Sequence, residues 1–476
     1  MSGGPVRVAV VGGGIAGLAA ALRLRDRLAG PADILLLEQA ARPGGKLRTG
    51  SLAGQPIELG AETFLLRDPD GAPNAAARLV GRLGLSLAHP AGVPAAIATG
   101  GALLPIPGGT LMGVPARPGP VGEVAVAAGA DPDSGTPLLG PDEDVAVGAL
   151  VRQRFGDAVV DRLVDPLLGG VYAGRADLLS LAVTVPALAA AARRESTLSR
   201  AVQAALAARG PAAAGPAFGA PEGGMGRLVD ALVEALSPGV SLLTGTTVRE
   251  LVRTATGWRL VTGPTTEPVA VEVDAVVLAV PARPAARLLA GAVPAAAAEV
   301  GVLDYASVGL VGLALPALDL PKLSGLLVPA TEGRLVKAMT NFTTKWGRDG
   351  EPVTLLRASV GRYRDEESLQ REDGELARAV HAELGLLLGT DLPEPLEFRV
   401  TRWGGGLPQY APGHLDRVAR ARAAAPPTLA LAGAGYDGVG IPACVASGEA
   451  AAERIVGALL SAGAAKAAGA RKGEVA

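Results

Sequence analysis

The chain has 476 residues, with 44 Lys and Arg against 46 Asp and Glu for a formal net charge of -2. That length suits two or three domains around a large buried core, and without a basic block there is no footing for a nucleic acid. The one cysteine, Cys444, excludes an internal disulfide, and with only three histidines it leaves too few soft ligands for a zinc or haem site.

In chain order, Val8 to Val11 is a short apolar run that meets Gly12 with neither a basic leader nor a cleavable segment. It reads as a buried strand and not as a signal peptide. Val6 to Glu38 then reads strand, glycine turn, helix and strand, closing on Ile34-Leu35-Leu36-Leu37, which is one βαβ unit. From about 108 to 215, Ala/Arg-rich helical segments dominate, interrupted at Gly119 to Pro141 by a Pro/Gly/Asp-rich stretch expected to be a mobile loop. Ala275 to Val280 is a second buried strand, preceded by a hairpin containing Trp258. Residues 296 to 398 look like mixed strands and loops, helical near Arg371 to Leu388. Thr428 to Ala432 is a third buried strand, followed by Gly433, Gly435 and a helix-like run from Pro442 to Leu460. The Ala/Gly/Lys tail from Ser461 has little to bury and is expected to be disordered. No stretch of about eighteen residues is free of charge, Pro and Gly, so no membrane span is expected and the cytoplasm is the expected location.

The expected fold is therefore α/β, with a discontinuous Rossmann-like nucleotide domain over 1–85, 215–295 and 399–476. A mixed-sheet substrate domain is expected over 86–107 and 296–398, and an inserted helical domain over 108–214. Gly12-Gly13-Gly14-Ile15-Ala16-Gly17 carries the spacing G-x-G-x-x-G between strand and helix. There only glycine permits the tight turn and the close approach of a pyrophosphate to the helix N-terminus. Glu38, followed by Gln39, lies 21 residues after Gly17 at the end of the second strand, where a carboxylate accepts the ribose hydroxyls. These residues point to a dinucleotide and leave FAD and NAD both open.

Directly after this acidic strand stands Arg42-Pro43-Gly44-Gly45-Lys46-Leu47-Arg48-Thr49. It resembles the segment that flavin amine oxidases place there, whose Gly-Gly pair and basic residue hold the flavin's diphosphate and ribityl chain. The resemblance implies FAD, with Lys46 as the cation. Glu58-Leu59-Gly60-Ala61-Glu62-Thr63-Phe64 is similar to the same group's next flavin-contacting segment, with Gly60, Ala61, Glu62 and Thr63 at the isoalloxazine. Read without the resemblance, it is an ordinary strand and loop with Glu58 and Glu62 on the surface. Thr247-Val248 falls where the group places a backbone contact to adenine.

Four further segments resemble the porphyrinogen oxidases of haem biosynthesis. They are Asp165-Pro166-Leu167-Leu168-Gly169-Gly170-Val171-Tyr172-Ala173-Gly174, Pro221 to Leu228, Arg402-Trp403 with Leu407 to Tyr410 and Gly413-His414, and Gly433 to Gly448. The resemblance puts Trp403 beside the flavin and a helix N-terminus at Val439, Gly440 and Ile441 beneath its pyrimidine end. Ala434 departs from the Asn or Asp of many relatives, so one side-chain hydrogen bond to the cofactor is expected to be missing.

The same resemblance implies FAD-dependent removal of six electrons from a porphyrinogen, with O2 as acceptor and H2O2 as product. The cofactor does the chemistry, and no catalytic side chain and no metal ligand is named. Coproporphyrinogen III is the preferred substrate and protoporphyrinogen IX the second. Arg67, Lys337, Lys345 and Arg357 are candidate cations for substrate carboxylates. Transient contact with a ferrochelatase and peripheral membrane contact are the expected associations. Still open are a carotenoid desaturase or amine oxidase, and a carrier of flavin or porphyrin without turnover.

Overall fold

The computed structural model describes residues 5–28, 32–208 and 215–473. Val6–Val11 is the centre of a five-stranded parallel sheet, with Ala32–Leu37 and then Val240–Leu243 on one side and Ala275–Leu278 and then Leu429–Leu431 on the other. Alternation along the strands sorts the two faces. Val8, Val10, Ile34, Leu36 and Val277 pack under the helices Ile15–Arg27 and Ile441–Gly473. Ala9, Val11, Leu37, Val276 and Leu278 pack with Trp258, Leu289 and Tyr436 on the opposite face. The edge strand Val240–Leu243 is the one member without a sequence signal, because its four residues are only half-buried or exposed.

The terminal helix continues to Gly473, so the disorder expected from Ser461 onward is corrected up to that residue, and residues 474–476 lie outside the described residues. Alanine's low cost in a helix carries the run beyond the last buried side chains.

The second sheet has seven strands in the order Glu397–Gln409, Asp304–Pro316, Val353–Val360, Val336–Asn341, Gly325–Leu327, Ala96–Thr99 and Ala102–Pro105. One face buries Val311, Leu313, Leu356, Ala358 and Val360 against Leu376, Val380 and Leu384 of the helix Asp373–Leu388. The other presents Leu327, Ala338, Thr340, Arg357 and Ser359, all only partly buried. The boundary drawn between residues 398 and 399 falls inside the strand Glu397–Gln409, which pairs with Asp304–Pro316 along most of its length.

Residues 110–207 hold two small hairpins and then helices, packed around their own cluster that includes Val121, Phe155, Leu163, Leu188 and Val202. The stretch Gly119 to Pro141, expected to be a mobile loop, begins with a hairpin and continues without regular structure to Pro141. Gly119–Val121 pairs with Ala125–Ala127, and Asp131 accepts from the Leu198 and Ser199 backbone N–H groups at 2.9 and 2.8 Å, capping a helix 67 residues on. Arg152 then ties the bundle together, donating to both oxygens of Asp177 at 2.8 and 2.9 Å and to Asp157 at 3.0 Å.

Replacing Arg152 by Met should cost about 1–3 kcal/mol, the range for hydrogen bonds to charged groups. The bonds from Arg152 hold the Asp177 carboxyl below its ordinary value. A depressed carboxyl pKa stabilises the fold above the unfolded value, and that stability is lost as pH falls through the folded one. Thermal unfolding should therefore show a wild-type advantage at pH 7 that shrinks below about pH 4, and equal stability at pH 7 would refute it.

Candidate functional site

The glycine turn lies at the carboxyl ends of the parallel strands, where an open α/β sheet leaves its crevice. Gly12 has φ +106°, and a Cβ there would stand 2.5 Å from the Ala279 carbonyl oxygen. A Cβ on Gly17 would stand 1.8 Å from the Gly12 oxygen, whereas one on Gly14 would meet nothing within 4 Å. The first and third glycines are thus filled by the protein itself, and the second faces open space. Gly14 caps the helix Ile15–Arg27 without a side-chain hydrogen bond, and the first turn carries no acid. Ile15 and Ala16 are buried behind it, so its free N–H groups form an anion site.

Glu38 is fixed by two backbone donors, the Gly13 N–H at 2.6 Å and the Ala40 N–H at 2.7 Å. Gln39 beside it is exposed. The segment leading to Val248 runs alongside, with the Thr246 N–H on the Glu38 carbonyl at 2.8 Å and the Gly245 N–H on that of Ala40 at 2.9 Å. Val248 itself packs partly buried against the cluster of Val11 and Leu37.

Gly44 donates its N–H to the Gly13 carbonyl at 2.7 Å, which brings the Arg42 to Thr49 segment against the glycine turn. Lys46 is half-buried, and among the described residues no carboxylate lies within 4 Å of its ammonium. Burial lowers its pKa, with the nearby Cys444 acting the other way. A sequestered cation without a counter-ion, next to an uncapped helix N-terminus, fits a diphosphate. The Lys46 carbonyl accepts from the Ala61 N–H at 3.0 Å, and a Cβ on Gly60 would stand 2.0 Å from the same oxygen. Gly60 and Ala61 are therefore pressed onto the basic segment, and Glu62 and Thr63 follow them in the same turn. Trp403 lies in the strand Glu397–Gln409 and donates its indole N–H to the Leu59 carbonyl at 2.7 Å.

Gly433 and Gly438 have φ +114° and +128°, and the terminal helix begins just beyond Val439 and Gly440 at Ile441. A Cβ on Gly448 would stand 2.1 Å from the Ala16 oxygen, so this helix crosses the first one in close contact. Ala434 offers no polar side chain, yet its carbonyl accepts from the Tyr410 hydroxyl. His414 donates through Nε2 to the Tyr436 carbonyl at 3.2 Å, and burial depresses its pKa.

Two acids read as surface groups are buried. Glu58 accepts from the Met225 N–H at 2.8 Å and the Thr49 hydroxyl at 2.9 Å, capping the helix Met225–Leu236, whose own cap residue Gly224 has no side chain. Burial raises its pKa against those two bonds, and its Oε2 has no partner. Glu62 binds Lys345 at 2.9 Å and Arg357 at 2.8 Å, so two of the four candidate cations already face a carboxylate of the protein. Lys337 is buried, and Arg67 is exposed with a bond to the Gly71 carbonyl. The sequence signal for the Glu58 cap was the uncapped helix start at Gly223-Gly224-Met225, whereas nothing local marks the partners of Glu62.

Among the described residues no group of three His, Cys, Asp or Glu could hold a metal ion, and no helix is long and apolar enough to cross a membrane. The match to the family of flavin containing amine oxidoreductases spans residues 15–456. A coproporphyrinogen III oxidase of Mycobacterium tuberculosis is 40% identical over 469 residues, covering 96% of this chain and 98% of that protein. A protoporphyrinogen oxidase of Bos taurus is 30% identical, covering 94% and 98%. The crystal structure of a provisionally named protoporphyrinogen oxidase from Exiguobacterium sp. 255-15 superposes with a TM-score of 0.81 at 30% identity, covering 95% and 98%. With its glycine turn, half-buried lysine and fixed acid in register, the chain belongs to the family of flavin containing amine oxidoreductases, in the branch of coproporphyrinogen III and protoporphyrinogen oxidases, and its cofactor is FAD.

Proposed function

We propose that the chain oxidises coproporphyrinogen III to coproporphyrin III in haem biosynthesis, passing six electrons in three pairs to three O2 and releasing three H2O2. The observation that carries this reading is the 40% identity over 96% of the chain to a relative of that name, joined to a site whose open glycine, half-buried lysine and fixed acid suit FAD. When bound, the flavin supplies the hydride-accepting ring and the route to oxygen.

The chain's own residues bind and orient. Gly12, Gly13, Gly14, Ile15, Ala16 and Gly17 present the helix N-terminus to the diphosphate, and Lys46 adds the cation. Glu38 and Gln39 take the ribose side, and Val248 the adenine. Gly60, Ala61, Glu62 and Thr63, with Trp403, line the isoalloxazine, while Val439, Gly440 and Ile441 aim backbone N–H groups at its pyrimidine end. The open face of the seven-stranded sheet, roofed by the helix Asp165–Tyr172 where Gly170 approaches Leu327, receives the macrocycle. Holding a meso carbon in reach and excluding water is the work asked of it, and no side chain is assigned as acid or base.

The same reading assigns 1–85, 215–295 and 399–476 to an FAD-binding domain, 86–107 and 296–398 to a substrate domain, and 108–214 to the helical insertion. It places the enzyme in the cytoplasm, in peripheral contact with the membrane and in transient contact with a ferrochelatase. A second reading, protoporphyrinogen IX, is favoured by the names of the Bos taurus and Exiguobacterium relatives.

Aerobic turnover of the FAD-loaded protein with both porphyrinogens, followed by porphyrin fluorescence and peroxide, tests the proposal. Faster conversion of coproporphyrinogen III is expected. The reverse preference would transfer the assignment to protoporphyrinogen IX, and no turnover of either would leave the desaturase and carrier readings.

A further inference from the structure

Glu62 stands on the turn after Gly60, and its side chain is only 6% exposed. Two cations converge on it. The Lys345 ammonium lies 2.9 Å from Oε1 and the Arg357 guanidinium 2.8 Å from Oε2, with side-chain exposures of 21% and 12%. The Trp346 indole N–H also donates to Oε1, at 3.1 Å. Arg357 reaches further, donating to the Glu58 and Gly60 carbonyls at 2.7 and 3.2 Å while lying 4.9 Å over the Phe342 ring.

Arg357 alone would suffice as a clamp, because it spans both carbonyls of the turn and one carboxylate oxygen, and the Trp346 N–H satisfies the other. Lys345 is therefore a surplus cation in a mostly buried place. Desolvating an ammonium is unfavourable by several kcal/mol unless negative charge is near. One carboxylate shared between two cations leaves these three groups with a net charge of +1, and Glu58, which acts on both Arg357 and Glu62, is the next acid.

We infer that the Glu62, Lys345 and Arg357 cluster sets the reduction potential of the bound flavin, because net positive charge near the ring favours its reduced, anionic form. This rests on the reading that FAD lies on the Gly60 to Thr63 turn. The couple is FAD + 2 e⁻ + H⁺ → FADH⁻, with electrons from the porphyrinogen in turnover and from dithionite in a titration. All three side chains act as positioning residues, through charge.

The test is a potentiometric titration of the FAD-loaded protein, which needs no porphyrinogen and so stands whether or not the proposed substrate is turned over. Lys345→Met takes the cluster from +1 to 0 and should lower the potential. Glu62→Gln takes it to +2 and should raise it. Each shift should amount to at least a tenfold change in the oxidised-to-reduced equilibrium, which is about 30 mV for a two-electron couple. Should Glu62→Gln fail to fold or to retain FAD, Lys345→Glu takes the cluster to -1 and should lower the potential further than Lys345→Met does. A loosened clamp would move both variants in one direction or neither, and that would overturn the inference. An unmoved potential with a raised KM for porphyrinogen in Lys345→Met would also overturn it, making the lysine a substrate anchor.

Discussion

Replacing Lys337 by Met should make the protein more stable at pH 6, by an amount on the order of a few kcal/mol at most. Lys337 sits where the strand Val336–Asn341 shifts register against its neighbour, and it is 6% exposed. Among the described residues its ammonium has no hydrogen bond and no carboxylate within 4 Å. Burial, helped by the charge of Arg362, lowers its pKa to about 7. In the unfolded chain the value is about 10.4. Between the two, the unfolded chain holds a proton that the native state lacks, so stability rises with pH, and below about pH 7 the full cost of the buried charge is present. A well-packed apolar replacement removes that cost. Asp365, Asp165 and Glu383 act on the neighbouring Arg362, and so they belong to the same electrostatic setting. Urea unfolding of the FAD-loaded protein should show the gain at pH 6 and its near disappearance at pH 10. A variant less stable than wild type at pH 6 would mean that the ammonium has a partner in solution.

Gly17→Ala and Gly14→Ala should both lose FAD, for different reasons. At Gly17 the new methyl would lie 1.8 Å from the Gly12 oxygen, and the helix cannot retreat because Gly448 already meets the Ala16 carbonyl behind it. Stability should fall by about 1–3 kcal/mol or more, and FAD affinity by at least about a hundredfold, near 3 kcal/mol. At Gly14 the methyl meets no protein atom, so the apoprotein should unfold as wild type does while the diphosphate is kept from the backbone. Flavin absorbance relative to protein absorbance, with thermal unfolding of each apoprotein, separates the cases. A Gly14→Ala variant that retains full FAD would rule out the diphosphate site assigned to this turn.

The parallel core was legible wherever the chemistry was local. Val8 to Val11, Ala275–Leu278 and Leu429–Leu431 announce themselves as uninterrupted apolar runs because both faces are buried, and Glu38 is fixed by its distance from a glycine turn. Val240–Leu243 escaped notice because an edge strand with half-exposed residues needs no such run. The same limit explains Glu62, whose charge partners lie 283 and 295 residues away in sequence, so reading along the chain left its acid on the surface and its cations facing substrate. Asp131 was hidden in the same way, since a cap 67 residues from its helix resembles any other acid in a Pro/Gly-rich stretch. The tail beyond Ser461 shows the converse, where composition suggested disorder but alanine continued a helix already anchored by Ile455 and Val456.

The parallel sheet collects strands from Val6 to Leu431. On a ribosome adding roughly 5–20 residues each second, about 20–80 s separate the synthesis of the first and last of them. From the completion of Ala275–Leu278 until Leu429–Leu431 is made, about 8–30 s at that rate, the outer edge of Ala275–Leu278 has no neighbour. That edge is therefore left open on the nascent chain until its last strand arrives, and the complete parallel sheet beneath the cofactor waits for the final tenth of the chain.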